Sequence, residues 1–318
     1  MENTRIITKK CMETDRKIQI LLSTYNGEKY LREQLDSYLK LEGFENIKVL
    51  IRDDGSTDST PDILDEYHQN CGFEIVKGQN LGVNRSMFEL FRLSDKTCDY
   101  FALSDQDDVW LPCKFKIALD KLEQYDSNLP LLFASCSQVV TKDLKPLGST
   151  LIPKKGVGFF NAMVQNVTPG HTQVFNLALM QQLIENYTKN ILVMDWWIYL
   201  VASGIGKVVF TNQFTVLHRQ HGDNAVGYEL NKRKNFLHRI KRIRSDQANA
   251  ISIQLQAFFN CYQSKIKQEN KEEVDRYFIY QKSFISRFFY VLKCRTYRQT
   301  GLETIAFKVL YLFGKYNL

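Results

Sequence analysis

Twice in the first third of the chain an apolar run drives straight into carboxylates, in NIKVLIRDDGSTDST at 46–60 and in DYFALSDQDD at 99–108. A third run, KIQILLST at 17–24, ends in the polar turn YNGEKY. Apolar runs of this length that stop at turn residues read as buried strands. Leu31, Leu35, Tyr38, Leu39 and Leu41 then recur at near-helical spacing until Gly43, and further helices are expected over 61–69, 83–93 and Lys114 to Tyr125. Residues 73–77 and LLFASCSQVV at 131–140 complete the strands of this half. Strands alternating with helices imply βαβ units, hence an α/β fold with a mostly parallel central sheet flanked by helices. Ligands of such sheets sit beyond the carboxyl ends of the strands, where both acidic clusters fall.

After about 145 the alternation loosens. TPGHTQVFN at 168–176 reads as a loop entering a strand, with a helix over 177–187 behind it. NILVMDWWIYLVASGIGKVVF at 190–210 has a helical centre bounded by Gly204 and Gly206 and then a strand, and VLHRQHGDNAVG at 216–227 reads as a polar loop. From 230 onward the pattern is helical, with Phe236, Leu237, Ile240 and Ile243 aligned between basic residues over 232–244. Charge divides the chain at the same place. The net charge of +7 is the sum of −4 over residues 1–227 and +11 over residues 228–318. The expected organisation is a catalytic body over 1–227 and a basic, mainly helical C-terminal extension over 228–318. A tail so basic is suited to an anionic partner, whether lipid head groups, a phosphorylated carrier or nucleic acid.

Several classes drop out. No stretch approaches the roughly 18 to 20 apolar residues that cross a bilayer, and MENTRIITKKCMETDRK is charged where a signal peptide needs an apolar centre, so a cytoplasmic location is expected. The seven cysteines form an odd set without a C-x-x-C pair and are read as free, mostly buried thiols. There is no G-x-x-x-x-G-K-[ST] phosphate loop and no G-x-G-x-x-G after the first strand, which removes the main support for kinase-like and dinucleotide-binding readings.

Three carboxylates within four residues, in SDQDDVW at 104–110, repel one another and need compensation. A hard divalent cation such as Mg²⁺ or Mn²⁺ is the natural partner, since such ions take oxygen ligands from one or two carboxylates together with substrate phosphates. Asp105 and Asp107 are then suited to a ribose and to the metal respectively. The alternative is a solvated acidic turn with Asp108 capping the next helix. In RDDGST at 52–57, Asp53 or Asp54 can accept hydrogen bonds from a base or a ribose hydroxyl, and Gly55 allows the sharp bend; capping by Ser56 or Asp58 is the competing reading. Ser23, Thr24 and Tyr25 offer hydroxyls and an aromatic face at the first strand end.

STYNGEKYL, RDDGSTDST, NLGVN and SDQDDVW, in this order and spacing, resemble the family 2 glycosyltransferases, inverting enzymes of the GT-A fold; D-Q-D-D-x-W resembles the rhamnosyltransferase-like members that build bacterial surface polysaccharides. The resemblance covers roughly 17–227. It implies that Ser23, Thr24, Tyr25, Asp53 and Asp54 hold the nucleotide, that Arg85 approaches its base or phosphates, and that Asp105 and Asp107 are the D-x-D pair at the metal, with Asp107 its more direct ligand. Many members have proline where Thr24 stands. By the same resemblance Asp195, in VMDWWIYL, is the carboxylate that takes the proton of the acceptor hydroxyl, and the neighbouring Trp196 and Trp197 suit a sugar-stacking wall; the competing reading is Asp195 as a helix N-cap beside two core tryptophans. GHTQVF at 170–175 resembles the acceptor-side loop, with His171 and Thr172 facing substrate. RQHGDN at 219–224 resembles a segment that closes over the diphosphate, with His221 completing the metal shell and Arg219 neutralising phosphate.

The partners implied by the resemblance are a nucleoside-diphosphate sugar donor (dTDP-rhamnose first, UDP-hexoses next), Mn²⁺ or Mg²⁺, and a hydroxyl of a lipid-linked saccharide destined for capsule, O-antigen or exopolysaccharide. Such an enzyme works peripherally at the inner face of the cell membrane, and the basic helix over 232–244, with aromatic residues such as Phe284, Phe288, Phe289 and Phe313, suits an anionic membrane surface. The competing role for the tail is a helical cap on the catalytic body. A non-catalytic carbohydrate- or lipid-binding protein that retains the fold is the alternative for the whole chain, and no nucleic-acid-binding module is recognisable, so no nucleic-acid partner is expected.

Overall fold

The structure is a computed structural model and describes residues 16–221 and 247–318. The expected helix over 232–244, the end of the polar loop at 222–227 and Cys11 lie outside the described residues. Three apolar runs form β1 (Ile18–Thr24), β2 (Ile47–Asp53) and β4 (Tyr100–Ser104), joined by α1 (Leu31–Tyr38), α2 (Thr60–Cys71), β3 (Glu74–Lys77) and α3 (Val83–Leu93). Next along the chain come β5 (Val109–Trp110), α4 (Lys114–Leu122), β6 (Leu131–Val140), β7 (Pro146–Ser149), α5 (Phe159–Ala162), β8 (Val174–Asn176), α6 (Leu177–Glu185), α7 (Met194–Ile205) and β9 (Lys207–Arg219). Four helices close the chain: α8 (Gln247–Tyr262), α9 (Gln268–Ile279), α10 (Phe284–Lys293) and α11 (Gly301–Leu312). No helix of the described residues is long and apolar enough to cross a membrane.

The sheet runs β3-β2-β1-β4-β8-β6-β9-β5, with β7 on β6. Its first four strands are parallel, and β6 with β9 forms a second, long parallel pair. The short β8 is antiparallel to both β4 and β6, so the sheet is mixed, with most of its pairing parallel. The polar loop expected from 216 is instead strand as far as Arg219, because β9 keeps its parallel partner along the whole of β6.

Side-chain alternation along β1 feeds two cores. Ile20 and Leu22 point to one face, under Leu35, Leu64 and Phe115 of α1, α2 and α4. Leu21 points to the other, where Phe91, Phe175, Trp197 and the C-terminal residues Phe258 and Tyr277 pack together. The C-terminal helices therefore share a core with α7. Of the described cysteines, Cys98 and Cys136 are buried and Cys71, Cys113, Cys261 and Cys294 half-buried, all as free thiols.

Gly206 ends α7 where β9 must start beside Pro130. A Cβ built there would lie 1.9 Å from the Pro130 carbonyl oxygen, which is backbone and cannot swing aside. Gly206→Ala is expected to destabilise the fold by about 1–3 kcal/mol or more through this overlap. Thermal unfolding checks it; an unchanged melting temperature would mean that the α7–β9 turn yields freely.

Candidate active site

Parallel register sets the first wall of the site. Thr24 pairs with Asp53 and Leu22 with Ser104, so the carboxyl ends of β1, β2 and β4 emerge side by side. All four quoted motif stretches thus meet at one edge of the sheet. At the β2 end, Asp53 accepts hydrogen bonds from Thr24 Oγ1 (3.2 Å) and Ser56 Oγ (2.5 Å). Asp54 pairs with Arg52 and accepts from the amides of Leu81 (2.8 Å) and Gly82 (2.9 Å). Arg52 donates on to Ser86, whose Oγ lies 2.5 Å from Ser23 Oγ. Asp53 and Asp54 are each 3% exposed, so both stitch the turn and the 79–82 loop together. Gly55, at φ +83, makes the bend with its missing Cβ against Asn80 N. Tyr25 stands out at 47% exposure, and Arg85 is exposed on the first turn of α3.

Gln106, the glutamine of the D-Q-D-D-x-W stretch and given no role there, ties this wall to the acidic turn. It accepts from Tyr25 N (2.9 Å) and donates to Tyr25 O (3.1 Å), a two-point clasp across separate stretches. Each acidic residue around it has a different environment. Asp105 is exposed, with Oδ2 3.2 Å from His171 Nδ1. Asp107 is half-buried, with Oδ2 2.8 Å from His221 Nε2, and His221 rests on the Tyr30 ring at 4.8 Å. Burial, then the charges of Asp108 and Asp105, push the Asp107 carboxyl above its ordinary range, against the pull of His221.

Asp108 is fully buried, which excludes the solvated-cap alternative; the residue before α4 is Cys113. Its Oδ1 accepts from Arg219 N (3.0 Å) and lies 2.9 Å from His218 Nδ1, while Oδ2 lies 3.7 Å from His171 Nδ1. The His171 and His218 rings stack at 4.5 Å, and Ser137 Oγ sits 2.6 Å from His171 Nε2. Burial pushes Asp108 up, but His171, His218 and the Arg219 amide outweigh it and hold the carboxyl below its ordinary value. Lys114 is also fully buried; it donates to His171 O (2.8 Å) and lies over the Trp110 ring, and burial brings it down to about 7. No sequence signal marked Lys114, because a lysine at the start of an amphipathic helix reads as surface.

Arg219 departs from the expected phosphate contact. Only 1% exposed, it donates to Asp107 O (3.0 Å), Lys142 O and Glu33 (2.7 Å), and it lies 4.7 Å over the Tyr30 ring. It braces the acidic turn from behind. His171 and Thr172, expected to face substrate, are likewise buried, at 4% and 0% exposure.

Asp195 lies in the first turn of α7, behind Val193 as N-cap. Its Oδ1 accepts from Trp196 N (2.7 Å) and its Oδ2 from Gly170 N (3.1 Å). Gly170 and His171 are consecutive, so one short turn touches Asp195 with one residue and Asp105 with the next. Burial raises Asp195 to about 6, and the charge of Asp105 adds to the rise, against backbone hydrogen bonds that lower it. A carboxylate poised there takes up a proton readily near neutrality. The stacking wall expected from Trp196 and Trp197 is absent: Trp196 donates to Ala162 O (2.7 Å) and Trp197 packs against Phe258 and Tyr262, so both are core.

Among the described residues, two sets of side chains could take a cation. Ligands on adjacent corners of an octahedron with bonds of about 2.1 Å stand about 3 Å apart, and the 2.8 Å between Asp107 Oδ2 and His221 Nε2 matches that spacing. Asp108, His171 and His218 form the second set, with their donor atoms within 4.8 Å of one another. There the rings lie face to face and each is already hydrogen-bonded, so the first set is better suited to an ion that must also meet substrate.

Comparison with known proteins agrees with this geometry. The sequence profile of "Glycosyl transferase family 2" matches residues 19–174, a span that includes the ends of β1, β2 and β4 and the whole acidic turn. The chain belongs to glycosyltransferase family 2. It is 29% identical over 223 residues to the "dTDP-rhamnosyl transferase RfbG" of Shigella flexneri, covering 66% of this chain and 74% of that one. Among solved structures, S. aureus TarS 1–349 in complex with UDP-GlcNAc superposes with a TM-score of 0.57 at 15% identity, covering 93% of this glycosyltransferase and 81% of TarS. The mannosyltransferase PcManGT from Pyrobaculum calidifontis, in complex with GDP-Man and Mn²⁺, gives a TM-score of 0.50 at 12% identity, covering 93% and 87%. These two share the fold of the family 2 enzyme. Asp195, Arg219 and His221 lie beyond the matched span.

Proposed function

We propose that this family 2 enzyme is a metal-dependent, inverting sugar transferase that uses a nucleoside-diphosphate donor and extends a lipid-linked saccharide in bacterial surface-polysaccharide synthesis. The observation that carries the reading is the Gly170–His171 turn, which ties Asp195 to the same acidic cluster that holds Asp107 beside His221. Donor and acceptor groups then have separate, adjoining places.

Tyr25 offers its exposed ring to the base, Arg85 its cation to the nucleotide, and Asp105 its exposed carboxylate to the ribose. Ser23, Thr24, Asp53 and Asp54 shape the turn that receives the nucleotide. Asp107 and His221 would hold Mn²⁺ or Mg²⁺, and the ion when bound offsets the negative charge that builds on the departing diphosphate. Asp195 accepts the proton of the acceptor hydroxyl as that oxygen attacks the anomeric carbon opposite the leaving nucleotide; one C–O bond forms, the bond to the diphosphate breaks, and the configuration inverts. The body through 227 carries this chemistry in our reading, and the helices after 228 serve the acceptor side.

The donor we favour is dTDP-rhamnose, on the strength of D-Q-D-D-x-W and of the Shigella relative; UDP-hexoses come next. A panel of nucleotide sugars incubated with the purified chain and Mn²⁺, read by release of the nucleoside diphosphate, tests the reading. Metal-dependent release from dTDP-rhamnose is expected. Faster release from another sugar would change the donor, and no release from any would favour a binding protein that keeps the fold.

A further inference from the structure

The two last helices wear their apolar residues on the outside. On α10, Phe284, Ile285, Phe288, Phe289 and Leu292 are 46–68% exposed, at spacings that make one stripe. On α11, Leu302, Ile305 and Val309 form a second stripe, continued by Phe313 just past the helix end, at 46–66% exposure. The Phe284 and Phe313 rings meet at 6.2 Å, which joins the stripes into one surface. The opposite faces of the same helices carry Tyr290, Phe307 and Tyr311, buried with Tyr277 in a packed aromatic core. Folding has thus satisfied one side of each helix and left the other apolar, which in a water-soluble protein marks a surface that meets something.

Charge says what it meets. Residues 280–318 contain seven lysines and arginines and one acidic residue, Glu303, which is 1% exposed. Lys293 at the end of α10, Lys282 just before that helix and Lys315 just after α11 are exposed, and the acidic residues of the described C-terminal helices otherwise stay on α9. A second copy docking face to face would bring like charges together. An anionic bilayer matches both parts: side chains enter the acyl boundary while lysines meet the head groups. With 10 and 12 residues the helices are too short to span and lie in the plane of the interface.

We infer that the α10–α11 face inserts into an anionic lipid surface. The surface is also tied to the acceptor side of the active site. Arg298 and Gln299, between the two helices, bond to Val164 O and to Gln165 Oε1. The next residue, Asn166, accepts from Thr168 N, and Gln173 Nε2 joins Thr168 O to Asp195 O. A face that sits on the membrane would therefore hold the proton-accepting carboxylate near the level of a lipid-linked acceptor. This last step rests on the proposed acceptor; the lipid surface itself does not.

Cosedimentation of the full chain with vesicles of phosphatidylcholine alone, or with added phosphatidylglycerol, tests the inference. The native chain is expected to partition onto the anionic vesicles and to stay partly bound at about 1 M salt, since apolar contact is not screened. Combined Ile285→Ser, Phe288→Ser and Leu292→Ser should weaken partitioning about tenfold or more while Mn²⁺-dependent donor hydrolysis is unchanged. Leu302→Ser with Ile305→Ser gives the same test from the other helix should the first variant fold poorly. Undiminished vesicle binding by both variants overturns the inference. So does complete loss of native binding in salt, or a dimer that the same substitutions dissolve in a chain that ignores vesicles. Hydrolysis read in parallel separates failure here from failure of the transferase reading.

Discussion

Asp195→Asn is expected to fold and bind the donor, yet transfer sugar about 10²- to 10⁴-fold more slowly, the usual contribution of a positioned general base. The pH dependence should change with it. A base must be deprotonated to act, so native transfer rises as pH climbs through about 6 and levels off above it, whereas the Asn variant loses that inflection. The stability consequence has the opposite sign. Because folding raises this carboxyl from 3.8 to about 6, its contribution is fully present below about pH 4 and is lost as pH rises through 6, up to about 3 kcal/mol by neutrality. Asn removes that penalty but can accept only one of the two bonds now made to Trp196 N and Gly170 N, which returns about 1–2 kcal/mol. The variant should therefore melt close to the parent, and the kinetic loss can be read without a folding artefact. Near-normal turnover, or a retained inflection near 6, would remove Asp195 as base.

The second large effect is expected at Asp107. Asp107→Ala should abolish the Mn²⁺ dependence of donor binding and lower turnover by about 100-fold or more, since loss of a direct ligand costs several kcal/mol of charge stabilisation. The fold should survive, because the carboxyl sits above its ordinary value through burial and the charges of Asp108 and Asp105, and its removal relieves that repulsion. Calorimetric titration of a nucleoside diphosphate with and without Mn²⁺ checks it. An unchanged Mn²⁺ effect would place the ion elsewhere, with the Asp108, His171 and His218 set as the next position to examine.

Much of the sheet was legible from the chain because strand-then-carboxylate is a local pattern that parallel pairing converts directly into proximity. β1, β2 and β4 emerge together since each is an apolar run of similar length, and the motifs at their ends had no other place to go. The pattern fails where burial decides. Trp196 and Trp197 look like a sugar platform in sequence but are consumed by the core that α7 shares with the C-terminal helices. Arg219 and His171 look like substrate contacts but act from behind, bracing Asp107 and lying beside Asp105 and Asp108. Lys114 and Gln106 had no role in the sequence reading, since one is the first of three lysines in an amphipathic helix and the other an amide between aspartates. The exposed aromatic stripes were visible as composition, but only packing tells Phe288, outside, from Tyr290, inside.

The proposed chemistry turns on one cation held between Asp107 and His221 where a donor's diphosphate would arrive. Anomalous diffraction from crystals grown with Mn²⁺ and a nucleoside diphosphate measures this directly. The expected result is a single manganese peak about 2.1–2.3 Å from both Asp107 Oδ2 and His221 Nε2, with diphosphate oxygens completing its shell. A peak among Asp108, His171 and His218 instead, or a bound diphosphate with no manganese beside it, would contradict it.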